Sequence, residues 1–400
     1  MSRFELLCGV EQIENIPWRP FDEKVCMFLD DWSTLLRKDV EAKKYPDVLT
    51  FAFWIRKANI QKKKNEFLQN GDKMILGRGV AFHIAPSNVP VNCMYTLVFG
   101  LLAGNANIVR VPSKSFPQVE VLVRVLCDVL QRKEYREILE RTMIVRYMRD
   151  SNATVKFSQM CDVRVIWGGD ETICNIRKAN LPPRSKEITF SDRYSFGVIS
   201  EEAIRQASEK ELIRLAERFY NDTYLLDQNA CSTPHLIFWW QDCASEDEEE
   251  IINRFWNMVA KVAEKYDFAD IKCSEKYADL CECVTMVPEI TTVKKYLDNR
   301  LYVCDVRKIP KDVIAMLRGK YGLFYQCRVD NEGPIPELNN VKVQTCTYYG
   351  MDVKKISHWI MENHLRGIDR IVPFGKALDI DLVWDGYDLI SEMSRKIEFE

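Results

Sequence analysis

The feature that most constrains the fold is an alternation of short β-rich runs with helical segments, which begins near Gly79. The β-rich runs are residues 80–84, 107–111, 142–147 and 163–167. The helical segments between them are residues 91–103, 118–133 and 152–160. Strands and helices that alternate in this way are typical of crossover connections in a parallel sheet. The sequence therefore predicts a doubly wound α/β domain.

Other segments lie on either side of this domain. Residues 1–75 carry mixed charge and a helical pattern. A second α/β unit is predicted to begin near Phe196, with an amphipathic helix from Glu201 to about Tyr220, a polar loop over 227–234 and a strand over 235–240. A chain of 400 residues corresponds to two to three domains of the usual size of about 150 residues.

Charge and hydropathy exclude several classes of protein. With 56 Lys and Arg against 59 Asp and Glu, the formal net charge of -3 is too balanced for a nucleic-acid-binding protein. The longest apolar stretch, residues 89–103, is interrupted by Pro90, Asn92 and Gly100 and is shorter than the roughly 20 residues that cross a bilayer. The amino-terminal residues lack the basic and apolar segments of a secretory signal. We therefore expect a cytoplasmic protein without a membrane span.

The 14 cysteines could form disulfides, bind metal, react as thiols or pack as small apolar residues. No Cys-x-x-Cys is present and the histidines are dispersed, so we predict no metal site, and in a reducing compartment no disulfide framework is expected. Cys231 lies in a short polar loop, where catalytic and structural interpretations both remain open. The other cysteines, including Cys93, Cys127 and Cys174, are predicted to be packing residues.

The first candidate binding segment is Pro86-Ser87-Asn88, where a predicted strand ends and a helix begins. Ligands of open α/β folds bind at the carboxyl ends of parallel strands, and an Asn amide there can donate to a developing oxyanion. The same residue types also form ordinary turns and helix caps, so both interpretations remain open.

Two further segments follow neighbouring strands. Arg110, Ser113 and Lys114 provide two cations and a hydroxyl that suit a phosphate or a ribose. Gly168 and Gly169 allow a ligand to approach the backbone closely. The complete G-x-G-x-x-G spacing of a Rossmann fingerprint is absent.

Two polar runs in the second unit have structural explanations. Ser245 and Glu248 have the spacing of a capping box, so the acidic run to Glu250 is attributed to a helix start rather than to a metal site. Residues 330–336 are rich in turn formers and predict a surface loop.

Together, these segments resemble the aldehyde dehydrogenase superfamily and, within it, the LuxC-type acyl-CoA reductases. The resemblance covers roughly residues 77–390. The segments that carry it are 85–90 (APSNVP), 103–105 (AGN), 110–114 (RVPSK), 191–195 (SDRYS), 227–232 (DQNACS), 367–379 (GIDRIVPFGKALD) and 384–388 (WDGYD). The resemblance implies a Rossmann-like cofactor domain and an α/β catalytic domain that carries the nucleophilic cysteine.

The resemblance also implies roles for individual residues. Cys231 becomes the nucleophile that accepts the acyl group, and Asn88 and the Cys231 backbone amide form the oxyanion hole. Arg110, Ser113 and Lys114 lie near the adenosine ribose of the cofactor. The remaining residues expected to bind the cofactor are Pro86, Ser87, Gly168 and Gly169.

Two departures from ordinary aldehyde dehydrogenases sharpen the expected reaction. The glutamate that activates water in those enzymes corresponds to Phe190 in this chain, so hydrolysis of an enzyme thioester should be slow. A ribose-binding glutamate of the NAD-preferring members is replaced by Lys114, which favours the 2′-phosphate of NADPH. The expected reaction is therefore NADPH-dependent reduction of an acyl thioester to an aldehyde through a Cys231 acyl-enzyme.

Two other functions remain as alternatives: an aldehyde-oxidising dehydrogenase, which the missing glutamate disfavours, and a cysteine acyl carrier or acyltransferase without redox chemistry. The expected partners are acyl-CoA or another acyl thioester, an acyl-transferring protein and further copies of the chain in a dimer or tetramer. The expected domains are residues 1–195 for the amino-terminal segment and NADP-binding domain, 196–366 for the thiol domain, and 367–400 for a segment that returns to the cofactor domain or to an oligomer interface. Acyl chain length and carrier are not determined.

Overall fold

The computed structural model describes residues 4–69, 74–149, 151–241, 247–309, 314–329 and 338–398. The chain divides into two compact units, the first formed by Met1–Ser191 and Leu382–Glu400 and the second by Asp192–Asp381. The return to the first unit thus falls at Leu382, whereas the sequence places it at Gly367. The reason is that residues 370–373 form a strand in the sheet of the second unit.

The first unit begins with a strand and three helices. The strand β1 covers Glu5–Gly9, and the helices are α1 (Glu23–Lys38), α2 (Pro46–Trp54) and α3 (Lys57–Leu68). The apolar residues of α1 recur every three or four positions and are buried, and Asp22 caps its first turn by accepting from the Lys24 amide. A purely helical segment was expected here. That expectation is wrong at β1, a five-residue edge strand too short to give a clear pattern.

The alternating pattern after Gly79 forms the main sheet of the first unit. After β2 (Met74–Gly77), its parallel strands are β3 (Val80–Ile84), β4 (Ala106–Arg110), β5 (Thr142–Arg146), β6 (Val163–Trp167) and β7 (Lys186–Phe190). The helices that follow them are α4 (Asn92–Leu102), α5 (Pro117–Leu130), α6 (Arg136–Leu139), α7 (Ala153–Met160) and α8 (Asp170–Arg177). The doubly wound α/β prediction is confirmed.

The strand order of this sheet is β1-β5-β4-β3-β6-β7, with β1 antiparallel to β5. From β3 the chain moves outward through β4 to β5 and then returns to β6 on the other side of β3. The direction of winding therefore reverses between β3 and β6. In open α/β sheets, the loops at such a reversal diverge and leave a crevice at the carboxyl ends of the strands.

The two central strands are anchored by a buried polar network. His83 on β3 contacts the Thr96 hydroxyl at 2.7 Å and the Asn107 amide oxygen at 3.0 Å, and the Trp167 indole donates to the same hydroxyl at 3.3 Å. Burial lowers the pKa of His83 to about 4, so the ring is neutral near pH 7. Its burial and its two hydrogen-bond partners indicate a structural role for His83.

The second unit contains a seven-stranded sheet of order β10-β11-β12-β9-β8-β13-β14. Its strands are β8 (Tyr194–Ser200), β9 (Pro234–Trp240), β10 (Ile290–Leu297), β11 (Leu301–Val306), β12 (Leu323–Val329), β13 (Val343–Tyr349) and β14 (Arg370–Pro373). Its helices are α9 (Glu201–Gln206), α10 (Glu209–Thr223), α11 (Glu248–Ala263), α12 (Asp270–Met286) and α13 (Val353–Glu362). Every pairing in this sheet is parallel except that of β10 with β11.

The single helix expected from Glu201 is two helices in the structure. Ser208 interrupts it, because its hydroxyl accepts from the Glu211 amide while the Glu211 carboxylate accepts from the Ser208 amide at 2.8 Å. This reciprocal capping box begins α10. The box predicted at Ser245 and the loop predicted over 330–336 lie outside the described residues.

The carboxyl-terminal segment completes the first unit. It contains β15 (Val383–Trp384), β16 (Tyr387–Asp388), α14 (Leu389–Glu392) and β17 (Ser394–Ile397), and β17 pairs antiparallel with β2. The buried Asn105 amide donates to the Met393 carbonyl at 2.9 Å, while its oxygen accepts from the Arg78 and Gly79 amides. Among the described residues, no helix is both long and apolar enough to span a membrane.

Candidate active site

Three loops of the first unit follow the carboxyl ends of β3, β4 and β6, which are neighbours in the sheet. The first loop carries Pro86, which is half-buried, and Ser87 and Asn88, which are exposed. It lies on one side of the point where the winding reverses. The structure thus brings the first predicted binding segment to the edge of the sheet where ligands of this fold class bind.

Arg110 ends β4 and turns toward the neighbouring strand. Its Nη2 donates to the Tyr147 carbonyl at 3.3 Å, and its guanidinium carbon lies 4.8 Å from the centre of the Tyr147 ring. The Arg110 Nε is buried and makes no hydrogen bond to any described residue, and burial lowers the pKa of the guanidinium. Ser113 and Lys114 are exposed in the loop that follows, and the Lys114 Nζ lies 5.5 Å from the centre of the Phe116 ring.

Gly168 and Gly169 connect β6 to α8 on the other side of the winding reversal. A Cβ at Gly169 would meet nothing within 4 Å, so the space beside this residue is open. A Cβ at Gly168 would lie 3.0 Å from the Thr172 side chain. The first turn of α8 carries Asp170 and Glu171, whose carboxylates stabilise the positive end of the helix dipole.

Phe190 occupies the end of β7 and is the residue expected at the position of the water-activating glutamate of aldehyde dehydrogenases. Its ring stacks on Trp167, with the ring centres 3.7 Å apart, and meets Tyr387 edge-on at 5.8 Å. Phe190 is 6% exposed. This position therefore belongs to an aromatic cluster of the first unit, and the Phe190 side chain supplies no carboxylate base.

In the second unit, Cys231 lies in a loop of residues 227–233, here called the thiol loop, which connects α10 to β9. A short 3-10 helix, Tyr224–Leu226, precedes it, and Asp227 and Gln228 adopt left-handed backbone conformations with φ of 52° and 60°. Asp227 tolerates this conformation better than most residues, and its carboxylate is held by the Tyr266 hydroxyl and by Lys272 at 2.9 Å.

Gln228 anchors the thiol loop in the interior. It is 2% exposed, its amide nitrogen donates to the Leu323 carbonyl at 2.9 Å, and its oxygen accepts from the Gly322 amide at 2.6 Å. These bonds satisfy two backbone groups beside β12 and compensate for the unusual backbone of Gln228 itself.

Cys231 is half-buried, and its backbone is fixed by Ser195. The Ser195 hydroxyl donates to the Cys231 carbonyl at 2.7 Å and accepts from the Thr345 amide at 3.2 Å. Ser195 and Thr345 lie near the starts of β8 and β13, so the thiol loop occupies the amino edge of this sheet. At the end of the loop, the Thr233 hydroxyl donates to the Asp222 carbonyl at 2.9 Å.

Two residues beside the thiol loop were missed by sequence reasoning. Asp222 is 1% exposed, and its carboxylate accepts from the Gly375 and Ala377 amides at 2.6 and 2.9 Å. Burial raises the pKa of Asp222 to about 7 despite these bonds. Arg370 begins β14 and donates to carbonyls of the same turn. Arg370 belongs to segment 367–379, and Asp222 contacts this segment. The sequence had identified the segment only as a motif.

The remaining described cysteines follow the packing prediction with two corrections. Cys93, Cys161, Cys304 and Cys346 are buried, and burial raises their thiol pKa values. Cys174 and Cys281, however, are exposed on α8 and α12. The packing prediction is wrong for these two, because a helical context does not specify which face of the helix is buried.

A family model described as acyl-CoA reductase (LuxC) matches residues 59–396. The chain belongs to the LuxC family of acyl-CoA reductases. A long-chain acyl-protein thioester reductase from Aliivibrio fischeri is 22% identical over 210 residues, which cover 51% of this chain and 42% of the relative. The match thus spans less than half of this relative's length.

Solved structures show the fold of this LuxC family member. Aldehyde dehydrogenase 21 from Physcomitrella patens, solved with succinate, superposes with a TM-score of 0.64 at 11% identity, covering 94% of this chain and 85% of that chain. A 1-pyrroline-5-carboxylate dehydrogenase from Thermus with bound NAD gives a TM-score of 0.62 at 12% identity, covering 94% and 80%. The predicted aldehyde dehydrogenase fold is confirmed.

Proposed function

We propose that this LuxC family member reduces an acyl thioester to an aldehyde, with Cys231 as the acyl-accepting nucleophile and NADPH as the reductant. The observation that carries the proposal is the thiol loop. It holds a half-buried thiol on a backbone fixed by Ser195, Gln228 and Thr233. A nucleophile that must repeatedly accept and release an acyl group benefits from a fixed position, since misplacement by about 1 Å can cost 10²-fold in rate.

The first unit offers residues that fit a nicotinamide dinucleotide. The open space beside Gly169 would admit a ligand against the backbone, and the buried Arg110 Nε makes no hydrogen bond to a described residue. Arg110, Ser113 and Lys114 would hold the adenosine ribose and its 2′-phosphate, and Pro86, Ser87 and Gly168 would line the same edge of the sheet. When bound, NADPH supplies the hydride that reduces the enzyme thioester.

The residues of this chain perform the acyl transfer. The Cys231 thiolate attacks the thioester carbonyl, a new carbon–sulfur bond forms, and the bond to the carrier breaks as the carrier thiol departs. The Cys231 backbone amide donates a hydrogen bond to the oxyanion, and the Asn88 amide is the second donor that the resemblance to aldehyde dehydrogenases implies. When the aldehyde is released, Cys231 departs as a thiolate and is ready for the next acyl group.

Phe190 supports reduction over hydrolysis. An aldehyde-oxidising dehydrogenase needs a base that activates water against the enzyme thioester, and Phe190 in its aromatic cluster supplies none. An acyl carrier without redox chemistry would use the same Cys231, but would not need the candidate cofactor residues at the edge of the first sheet.

The comparisons support two kinds of acyl carrier. The family description names acyl-CoA, and the relative from Aliivibrio fischeri is named for an acyl group on a protein. We propose an acyl thioester as the substrate class and expect acyl-CoA to serve in vitro, with an acyl-transferring protein as a second donor.

The decisive experiment combines intact-mass spectrometry with NADPH oxidation. We expect one acyl adduct on the wild-type protein after incubation with acyl-CoA of several chain lengths, and its loss with aldehyde formation when NADPH is added. Cys231→Ser should abolish aldehyde formation. The matched control is Cys174→Ser, an exposed cysteine whose removal should change neither signal. NADPH oxidation in Cys231→Ser at the wild-type rate would overturn the proposal.

A further inference from the structure

Arg370 is held in one orientation by the turn that follows its strand. Its guanidinium donates to the Ala377 carbonyl at 2.7 Å, to the Lys376 carbonyl at 2.9 Å and to the Asp379 carbonyl at 2.6 Å. Residues 374–379 are here called the clasp turn. Three backbone acceptors around one planar guanidinium restrict its rotation far more than a single ion pair does.

Asp222, which is distant in sequence, also binds the clasp turn. Its two carboxylate oxygens accept from the Gly375 and Ala377 amides, and its carbonyl accepts from the Thr233 hydroxyl of the thiol loop. Ala377 thus contacts both residues, its carbonyl facing Arg370 and its amide facing Asp222. Asp222 therefore connects the clasp turn to the thiol loop through its own side chain and backbone.

Sheet geometry places Arg370 near Cys231. In the parallel pairing of β13 with β14, Arg370 is opposite Thr345. The Thr345 amide donates to the Ser195 hydroxyl, which donates to the Cys231 carbonyl. The guanidinium and the Cys231 thiol interact electrostatically: burial lowers the pKa of Arg370, whereas the charges of nearby carboxylates and of Cys231 raise it.

We propose that Arg370 is a positioning residue that keeps Cys231 in its thiolate form, and that Asp222 fixes Arg370 for this task through the clasp turn. This inference rests on the proposed function, because only a nucleophilic Cys231 requires a stabilised thiolate. The thiolate is the form that attacks a thioester, and a nearby guanidinium lowers the pKa of a thiol.

Three carboxylates share the electrostatic environment of Arg370 with the thiol. The groups that face it are Asp379, Asp381, Asp222 and Cys231. Asp379 pairs with Lys376 at 2.7 Å, which neutralises its charge. Asp222 has its pKa raised to about 7 by burial, so it is partly protonated near neutral pH. Asp379 and Asp222 therefore each offset only part of the guanidinium charge.

The test measures the rate of Cys231 alkylation by iodoacetamide from pH 5 to pH 10, quantified on the Cys231 peptide by mass spectrometry. In Arg370→Gln, we expect alkylation at pH 7 to be about tenfold slower, because the half-maximal pH rises by about one unit. Arg370→Lys retains a charge but not the three hydrogen bonds, and we expect alkylation at pH 7 to be about threefold slower. Asp222→Asn removes one acceptor from the clasp turn, and we again expect alkylation at pH 7 to be about threefold slower.

The matched control is Arg254→Gln. Arg254 also donates to three backbone carbonyls of the second unit, those of Ile204, Arg205 and Ala207. It should therefore report the structural cost of losing such a guanidinium, with no change in the pH profile of Cys231. Circular dichroism confirms folding of each variant.

The outcomes separate this inference from the proposed function. A wild-type pH profile in Arg370→Gln, or in Arg370→Lys if the Gln variant does not fold, overturns the role of Arg370. The same shift in Arg254→Gln also overturns it. If the expected shift occurs but wild-type protein forms no acyl adduct, the thiolate assignment stands and the proposed reductase function fails.

Discussion

In the first unit, the candidate binding residues follow the carboxyl ends of β3, β4 and β6, whereas in the second unit Cys231 precedes the amino end of β9. Both sheets are largely parallel, so the two candidate regions occupy opposite edges of similar scaffolds. Ser195 and Arg370, near the starts of β8 and β14, share the amino edge with Cys231.

The two edges also differ in how tightly their loops are held. Ser87, Asn88 and Gly169 are exposed, as suits residues that contact an exchangeable ligand. The thiol loop is instead fixed through the buried Gln228 and through hydroxyls that contact its backbone. Under the proposed function, the carboxyl-edge rule of open α/β sheets locates the cofactor residues, whereas Cys231 lies at the opposite edge, where hydrogen bonds from buried residues fix its loop.

The largest effect is expected from a substitution in the exposed loop that follows β3. Asn88→Ala should lower kcat by about 10²–10³, because one oxyanion donor is lost. Aldehyde formation under saturating acyl-CoA and NADPH measures the effect. Asn65→Ala, at an exposed asparagine of α3 in the same unit, is the control and should change kcat by less than about threefold. Equal kcat values in Asn88→Ala and wild type would remove Asn88 from the reaction.

The second prediction tests how the thiol loop is held in place. Gln228→Ala should lower the free energy of unfolding by about 2–3 kcal/mol, because the Gly322 amide and the Leu323 carbonyl lose their partner. Urea denaturation measures the change. Asn229→Ala, at the exposed neighbouring position, should cost less than about 1 kcal/mol. If both variants were equally stable, the thiol loop would not depend on its buried anchor.

A third substitution tests whether the open space at the first edge admits the cofactor. Gly169→Val should raise the KM for NADPH about tenfold, or about 1.4 kcal/mol, because its side chain fills that space. Gly169 has a φ of -63°, so valine adds no backbone strain. Acylation of Cys231 without NADPH is the internal control and should be unchanged. An unaltered KM would place the cofactor elsewhere.

The smallest expected effect concerns cofactor choice. Lys114 is exposed, and exposed charge interactions are worth up to about 1 kcal/mol. Lys114→Glu should therefore shift the ratio of kcat/KM for NADPH over NADH by about fivefold toward NADH. Lys133→Glu, an exposed lysine of the same unit, should leave the ratio unchanged. An equal shift in both variants would indicate a general charge effect rather than contact with a 2′-phosphate.

The sequence was most informative where the structure depends on local pattern. The bounds of β3 and β6 match the prediction, because each strand is a short apolar run between turn residues. Cys231 was singled out correctly as the cysteine of a polar loop. The break at Ser208 was missed although its Ser-x-x-Glu signal was present, because the apolar pattern continued through it.

The residues that hold the thiol loop could not be identified in the same way. Gln228 binds carbonyl and amide groups of residues 322 and 323, and Asp222 binds amides of residues 375 and 377. A glutamine in a polar loop and an aspartate near a helix end look like surface residues in the sequence. Their importance arises only from contacts between distant parts of the chain, which no local pattern encodes.

The discontinuity of the first unit has a consequence for how the protein is made. The second unit, Asp192–Asp381, is continuous in sequence, whereas the first unit needs Leu382–Glu400 to supply β17, the partner of β2. During synthesis the whole second unit therefore leaves the ribosome before β17 does. The first unit therefore cannot be completed before the second unit has been synthesised, although amino-terminal domains usually fold first. The buried Asn105 gains its acceptor, the Met393 carbonyl, only when the last residues of this unit are synthesised.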